Sequence, residues 1–498
     1  MGFRSVLSKP FAKYVVGQQQ KWMAEPGKFQ QYIFDDLIKN GSQTVFGNDH
    51  KLGVVSNHKE FKEAIPINDY EALKPYVDRM IQGENDVLWP GKPAYFAKTS
   101  GTTSGIKYIP ITKDSIPNHI NSARDALLNY VNQSGDGKFL DGKLIFLSGS
   151  PVLSKTAGIH TGRLSGIVNH HVPGYLKTNQ LPSYETNCID DWEEKLERII
   201  DETIDKDMSL ISGIPPWVQM YFDKIIERTG RPIKDVFPNF NMFVYGGVNF
   251  QPYKKKLFES IGKEIPSIET YPASEGFIAY QDSQEDEGLL LLSNSGIFFE
   301  FIPADEYYNE NPTRLGIDEV QTGVNYAVII NSNAGLWGYS IGDTVKFVST
   351  YPHRLLVTGR IKHFISAFGE HVIGEEVENA MQETTKLFPE VEIVEFTVAP
   401  NVAPEEGIPR HEWFIEFRHM PDDLASFQNQ LDLQLQKLNT YYFDLVSGNI
   451  LSELEIIPLK NNSFRNYMKS IGRLGGQNKV PRLSNDRTLA DELMNYRK

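Results

Sequence analysis

Residues 97–110 read Ala97-Lys98-Thr99-Ser100-Gly101-Thr102-Thr103-Ser104-Gly105-Ile106-Lys107-Tyr108-Ile109-Pro110. Small residues and glycines let successive backbone N–H groups turn inward as a concave nest, hydroxyls add donors, and Lys107 supplies charge. Binding a polyphosphate requires this combination. The spacing is not that of a Walker A loop, because Ile106-Lys107-Tyr108 stands where Gly-Lys-Ser/Thr belongs. A mononucleotide kinase or GTPase is thereby disfavoured. An ordinary Gly/Ser/Thr surface loop has the same composition, so the segment gains meaning only from its company.

Three further segments supply that company. Tyr245-Gly246-Gly247-Val248-Asn249 follows an apolar run, and paired glycines at a strand end let a flat ring lie against the backbone, although they also mark plain turns. Tyr271-Pro272-Ala273-Ser274-Glu275-Gly276 offers an aromatic face, a hydroxyl and a carboxylate within six residues. Pro272 sits where a G-x-S-x-G nucleophile elbow needs its first glycine, which argues against a serine hydrolase. Tyr339-Ser340-Ile341-Gly342-Asp343, expected at the start of a strand, brings an acceptor-only side chain suited to a ribose diol; a lone Gly-Asp can equally be a turn.

A length of 498 residues predicts two to four domains at about 100–200 residues each. With 40% hydrophobic and 23% charged residues the chain has material for a sizeable core, which excludes disorder as its main state. The 50 Lys+Arg against 64 Asp+Glu leave a formal charge of -14, which repels a phosphate polymer, so no nucleic-acid partner is expected. The single cysteine, Cys188, rules out a disulfide framework and a Cys-based zinc site, fits a reducing compartment and reads as structural or surface; cytoplasmic localisation is the expectation. Lys9, Pro10 and Lys13 interrupt any signal-peptide core, and Val6 stands where a myristoylation signal needs Ser or Thr. No run of about 18 apolar residues occurs, so nothing is expected to span a membrane and no membrane partner is expected. The oligomeric state is not legible.

Strand-like runs at 143–148, 242–245, 289–292, 324–331, 344–348 and 355–358 alternate with helical patterns, which reads as α/β. Between Asp191 and Asp205 a helix would place Trp192, Leu196, Ile199, Ile200 and Ile204 on one face. Beyond Gly359-Arg360 the texture changes. Strand-like segments at 391–399 and 413–417 precede a helix from about Leu424 to Leu438 with Leu424, Phe427, Leu431, Leu435 and Leu438 as its stripe. A boundary near 358–362 is expected, dividing residues 1–358 from 359–498; a loop inside one larger domain is the competing reading.

Taken in order, the four segments and Gly359-Arg360-Ile361-Lys362 resemble the core motifs of the adenylate-forming superfamily, which includes acyl-CoA ligases and firefly luciferase. Thr99 to Lys107, TSGTTSGIK, resembles [ST]-S-G-[ST]-[TS]-x-G-x-x-K with one residue fewer before the lysine. Tyr271 to Glu275 matches Y-x-x-S-E, and Tyr339 to Asp343 matches Y-R-x-G-D except that Ser340 replaces arginine and so removes a cation. Gln477-Asn478-Lys479-Val480-Pro481-Arg482 resembles the Q-x-K-x-P-R ending of one branch, the auxin-responsive-promoter family of acyl acid amido synthetases. The resemblance covers nearly the whole chain. It implies an α/β fold: a large N-terminal adenylate-forming domain of mixed β-sheets and helices, and a smaller mobile α+β C-terminal domain.

The resemblance also implies a mechanism. A carboxylate would attack the α-phosphorus of ATP, releasing pyrophosphate and leaving an acyl-AMP that an amino-acid amine then attacks. Such chemistry is catalysed mainly by positioning and electrostatics. Ser100, Gly101, Thr102, Thr103 and Lys107 would hold the triphosphate. Gly246, Gly247, Val248, Tyr271 and Ser274 would hold the adenine, Asp343 the ribose, and Glu275 would bind Mg²⁺. Lys479 would carry a positive charge to the α-phosphate, with Arg360 and Lys362 marking the hinge. The acyl acid would lie near His160, Arg163 and Tyr175. His160, His170 and His171 form no firm metal pattern. Two alternatives remain: an acyl-CoA ligase with the same first half-reaction, and a nucleotide-binding protein without turnover.

Overall fold

Apolar runs at Met208–Ser212 and Met242–Gly246 and the mixed segment Ser267–Ala273 are separated by amphipathic helices at Pro215–Thr229 and Gln251–Ile261. Each helix has proline in its first turn and a left-handed glycine, Gly230 or Gly262, just past its end, so start and stop are both written locally. The strands between them must return in the same direction, and they pair parallel, with Leu210 opposite Met242 and Val244 opposite Ile268. Parallel strands need cover on both faces. Leu196, Ile199, Tyr221, Phe222 and Leu257 cover one face over Ile211 and Phe243. Helices Phe3–Ala24 and Ile116–Ser134 cover the other over Leu210, Met242 and Ile268.

The computed structural model describes residues 2–498 except 101–105, 173, 190, 248–249, 362–363, 366–371, 403, 405–406, 448–450, 475–478 and 485–486. Among the described residues the large sheet runs, edge to edge, through strands 297–303, 325–332, 336–350, 353–360, 289–291, 276–280, 267–273, 242–246, 208–212, 143–146 and 180–181. Its antiparallel half encloses a second core in which Phe299, Phe301, Val328, Ile330, Trp337 and Tyr339 are buried. A separate sheet orders Ile106–Ile111, Tyr95–Ser100, Ile159–Gly162 and Ser154–Thr156, so the glycine-rich segment joins the antiparallel pair Tyr95–Ser100 and Ile106–Ile111.

The chain divides into two compact units. Unit one comprises 1–341, 345–356 and 475–477; unit two comprises 342–344, 357–474 and 478–498. Unit two has a three-stranded sheet, Glu392–Asn401, Arg410–His419 and Glu455–Leu459, packed with helices Gly374–Leu387 and Leu424–Leu438. Phe427, Leu431 and Leu435 are fully buried there, whereas Leu438 is 41% exposed. The predicted stripe overran by one position, because Leu438 is the last helical residue and Asn439 turns the chain into an extended conformation. Tyr339–Asp343 likewise lies inside a fifteen-residue strand, Leu336–Thr350, and not at its start. Leu336, Trp337, Tyr339 and Ile341 are all buried, so the strand's apolar side begins earlier than the run 344–348 indicated.

Candidate functional site

The candidate residues fall into two groups, one in each unit. In unit one, Lys107 leaves the strand Ile106–Ile111 just after the glycine-rich segment, and its ammonium lies 5.4 Å from the centre of the Tyr70 ring. Tyr70 opens the helix Tyr70–Ile81, whose start is fixed by Asp69 accepting a hydrogen bond from the Ala72 N–H. The Tyr70 hydroxyl accepts from the Tyr108 N–H at 2.9 Å, which ties helix start to phosphate-loop strand. Asn68 fastens the same helix to the strand carrying Tyr339. Its N–H donates to the Gly338 carbonyl at 2.7 Å, its carbonyl accepts from the Ser340 N–H at 2.8 Å, and its amide donates to the Trp337 carbonyl at 2.8 Å.

Tyr339 in turn donates its hydroxyl to Glu275 Oε1 at 3.4 Å. Burial pushes the Tyr339 phenol far up, with the Glu275 carboxylate and Tyr70 in the same direction, so it stays a protonated donor. Glu275 sits on the hairpin between Ser267–Ala273 and Gly276–Tyr280, half-buried beside Ser274. Lys107, Tyr70, Tyr339 and Glu275 thus join segments some 270 residues apart in one polar neighbourhood.

The adenine candidates are built on neighbouring strands. A Cβ on Gly246 would stand 2.4 Å from the Thr270 carbonyl oxygen, so only glycine lets the two backbones approach this closely. Thr270 also donates its hydroxyl to the Tyr245 carbonyl at 2.8 Å. Gly247, next along, is exposed, and Tyr271 is buried, 7% exposed, with its ring in the core of the antiparallel half. Val248 lies outside the described residues, as do Gly101, Thr102 and Thr103 of the phosphate loop; Ser100 is described only as the end of a strand.

In unit two, Asp343 and Arg360 pair at 2.9 Å. The Arg360 guanidinium runs along Gly342, which has φ +78°, and Ile361 donates to the Gly342 carbonyl at 2.7 Å. Lys479 belongs to the same group. Loss of solvent around its ammonium pulls its pKa down to about 8, Asp343 opposes this and Arg360 assists it. The side chain as a whole is exposed, so water screens the effect and its direction is what bears on chemistry. The residues just after Lys479 are anchored: Arg482 donates to Glu378 at 3.0 Å and to the Phe396 carbonyl at 2.9 Å, and Leu483 is buried. Arg482 is therefore a tether for the Lys479 segment. Lys362 lies outside the described residues.

The acyl candidates do not converge. His160 and Arg163 are exposed, and the side chain of Tyr175 is not described. Beside them is a small apolar recess lined by Ile111, Ile116, Ile120, Leu164, Ile167 and Val168, with His119 and His171 at its wall. Burial drives the His119 imidazole down to about 4, so it is neutral. Sequence reasoning missed Tyr70, Asn68 and His119. A capping residue announces where a helix starts but not what its first turn touches, and a histidine inside an apolar helix face carries no periodic signal.

The fold is that of solved adenylate-forming ligases. The solved structure of the GH3.15 acyl acid amido synthetase aligns over 97% of this chain and 96% of its own, at TM-score 0.80 and 15% identity. A 2-hydroxyisobutyryl-CoA ligase aligns over 96% and 93% at TM-score 0.60 and 11% identity. In sequence, the jasmonoyl–L-amino acid synthetase of Nicotiana attenuata is 23% identical over 92% of this chain and 91% of its own. The GH3 family N-terminal, central and C-terminal domain models match residues 15–171, 290–360 and 375–488. The chain belongs to the GH3 family.

Proposed function

We propose that the protein is an ATP-dependent acyl acid amido synthetase. A carboxylate oxygen attacks the α-phosphorus, the bond to the β-phosphate breaks and pyrophosphate leaves. An amino-acid amine then attacks the acyl carbon, loses a proton and expels AMP. The observation that carries this reading is the meeting of Lys107, Tyr70, Tyr339 and Glu275 beside the glycine-rich segment: a cation for phosphate oxygens and a carboxylate held by a neutral phenol. The donor set fits a magnesium nucleotide, with Glu275 as the metal-facing group; the ion would neutralise charge on the phosphates.

Ser100, Gly101, Thr102 and Thr103 cradle the triphosphate, and Gly246, Gly247, Val248, Tyr271 and Ser274 take the adenine. Asp343 accepts from the ribose hydroxyls, exchanging part of its interaction with Arg360. Lys479 brings its cation to the α-phosphate, and Arg360 and Lys362 mark the turn between residues 1–358 as adenylation domain and 359–498 as cap. No protein nucleophile is needed, which leaves Cys188 outside the reaction. The acid lies toward Arg163, His160 and Tyr175. Cytoplasmic localisation belongs to this proposal; among the described residues no helix is long and apolar enough to cross a membrane.

The test is the acceptor. With an acid found by screening, AMP release stimulated by amino acids and an amide product by mass spectrometry are expected. Stimulation by coenzyme A alone, with a thioester product, would assign the chain to the acyl-CoA ligases.

A further inference from the structure

The helix Phe3–Ala24 carries large apolar side chains on its solvent side as well as in the core. Ser5, Ser8, Ala12, Val15, Gln19 and Trp22 face the protein, whereas Phe3, Val6, Leu7, Phe11 and Tyr14 face solvent, Phe3 at 78% and Tyr14 at 64% exposure. A helix that serves only its own core keeps such side chains off its solvent side. The spacing 3, 7, 11, 14 keeps the exposed rings on one side as a continuous apolar strip.

The charge of the helix's own residues is one-sided. From Phe3 to Ala24 the chain has Arg4, Lys9, Lys13 and Lys21 and no acidic residue, in a protein of formal charge -14. Neighbouring elements extend the pattern. The Arg124 guanidinium lies 5.7 Å from the Phe11 ring, and Lys143 joins Arg4 around Thr178, donating to its carbonyl while Arg4 donates to its hydroxyl. Two acids adjoin the helix: Asp141 is engaged by the Gly2 and Ser5 N–H groups, and Asp125 pairs with Arg124 at 2.7 Å and accepts from Gln19 at 3.3 Å.

We propose that this face docks on an anionic lipid surface. Phe3, Leu7, Phe11 and Tyr14 enter the headgroup boundary while the surrounding cations meet lipid phosphates or carboxylates. A second copy is the poorer occupant, because a two-fold contact through this strip would bring one cationic helix against another. The sequence expectation of no membrane partner rested on spanning segments and lipid anchors, and neither bears on a helix lying in the interface.

The test is co-sedimentation of the full chain with vesicles of phosphatidylcholine, with and without phosphatidylserine. Binding is expected only to the anionic vesicles and is released by high salt. At about fivefold per cation, Lys9→Glu with Lys13→Glu lowers partitioning by more than about twentyfold. Leu7→Gln with Phe11→Gln lowers it without changing charge, and both pairs keep wild-type helix content and wild-type turnover in solution. Equal binding to neutral vesicles, or no binding to either, overturns the proposal. So does a lipid-free dimer, seen by light scattering, that Leu7→Gln with Phe11→Gln converts to monomer.

Discussion

Replacing Glu300 by glutamine removes the charge on which a buried polar network depends. Glu300 is fully buried. Its carboxylate accepts from Arg314 Nε at 3.0 Å and Nη2 at 2.6 Å, from Asn331 at 2.9 Å, and faces His58 Nε2 at 2.8 Å. Burial alone would raise its pKa, but His58 and Arg314 overturn that and hold it at about 2, below the ordinary 4.5. At about 1.4 kcal/mol per unit the difference is roughly 3 kcal/mol in favour of the charged form. Because the folded value is depressed, this stability is present above the ordinary carboxylate range and is lost as pH falls from about 4.5 toward 2. Breaking a buried pair from one side costs about 3–5 kcal/mol, because the partner charge stays buried, so the two routes agree. The expected result is a loss of about 3–5 kcal/mol from the urea transition of the larger unit. In Glu300→Gln combined with Arg314→Met the loss falls short of the sum of the singles. A single-variant loss below about 1 kcal/mol would refute the reasoning. The network also reaches the site, because Arg314 donates to the Ile65 carbonyl at 2.5 Å, three residues before Asn68.

Three other predictions follow from the site. Tyr339→Phe removes one donor from Glu275 and should raise the magnesium concentration for half-maximal adenylation by about 2–10-fold with little change in maximal rate; an unchanged magnesium titration contradicts the pairing. Gly246→Ala forces apart strands whose backbones leave 2.4 Å for the new carbon, so the KM for ATP should rise at least about tenfold, and a normal KM would show that the approach is not required. Loss of solvent lowers the Lys479 pKa, so acid-dependent pyrophosphate exchange should decline at a lower pH than an ordinary lysine would set, whereas Lys479→Arg should hold its residual rate to higher pH; parallel profiles would remove Lys479 from the pH response.

The sequence made parts of this legible because some signals are local. The apolar runs at 143–148 and 242–245 announced two strands of the parallel half, the periodicity of 191–205 announced the helix Trp192–Thr203, and the helix ending at Leu438 was readable to the residue. The polar neighbourhood around Glu275 was half legible. Its motif marked Tyr271 and Glu275, but Tyr339 was seen as the edge of a different motif. Tyr70 belongs to no motif, since its place beside Lys107 depends on Asn68 bridging to a strand some 270 residues away. Long-range pairing of this kind leaves no periodic trace. The exposed apolar strip of the helix Phe3–Ala24 was hidden for the related reason that periodicity gives a face but not which side meets the protein.

The most direct measurement is the incorporation of labelled pyrophosphate into ATP, with and without a carboxylic acid, by the wild type and by Lys479→Ala. The account predicts exchange that needs the acid and disappears in the variant, while ATP binding by calorimetry stays within a few-fold. Exchange without any acid, or exchange at the normal rate in Lys479→Ala, contradicts it.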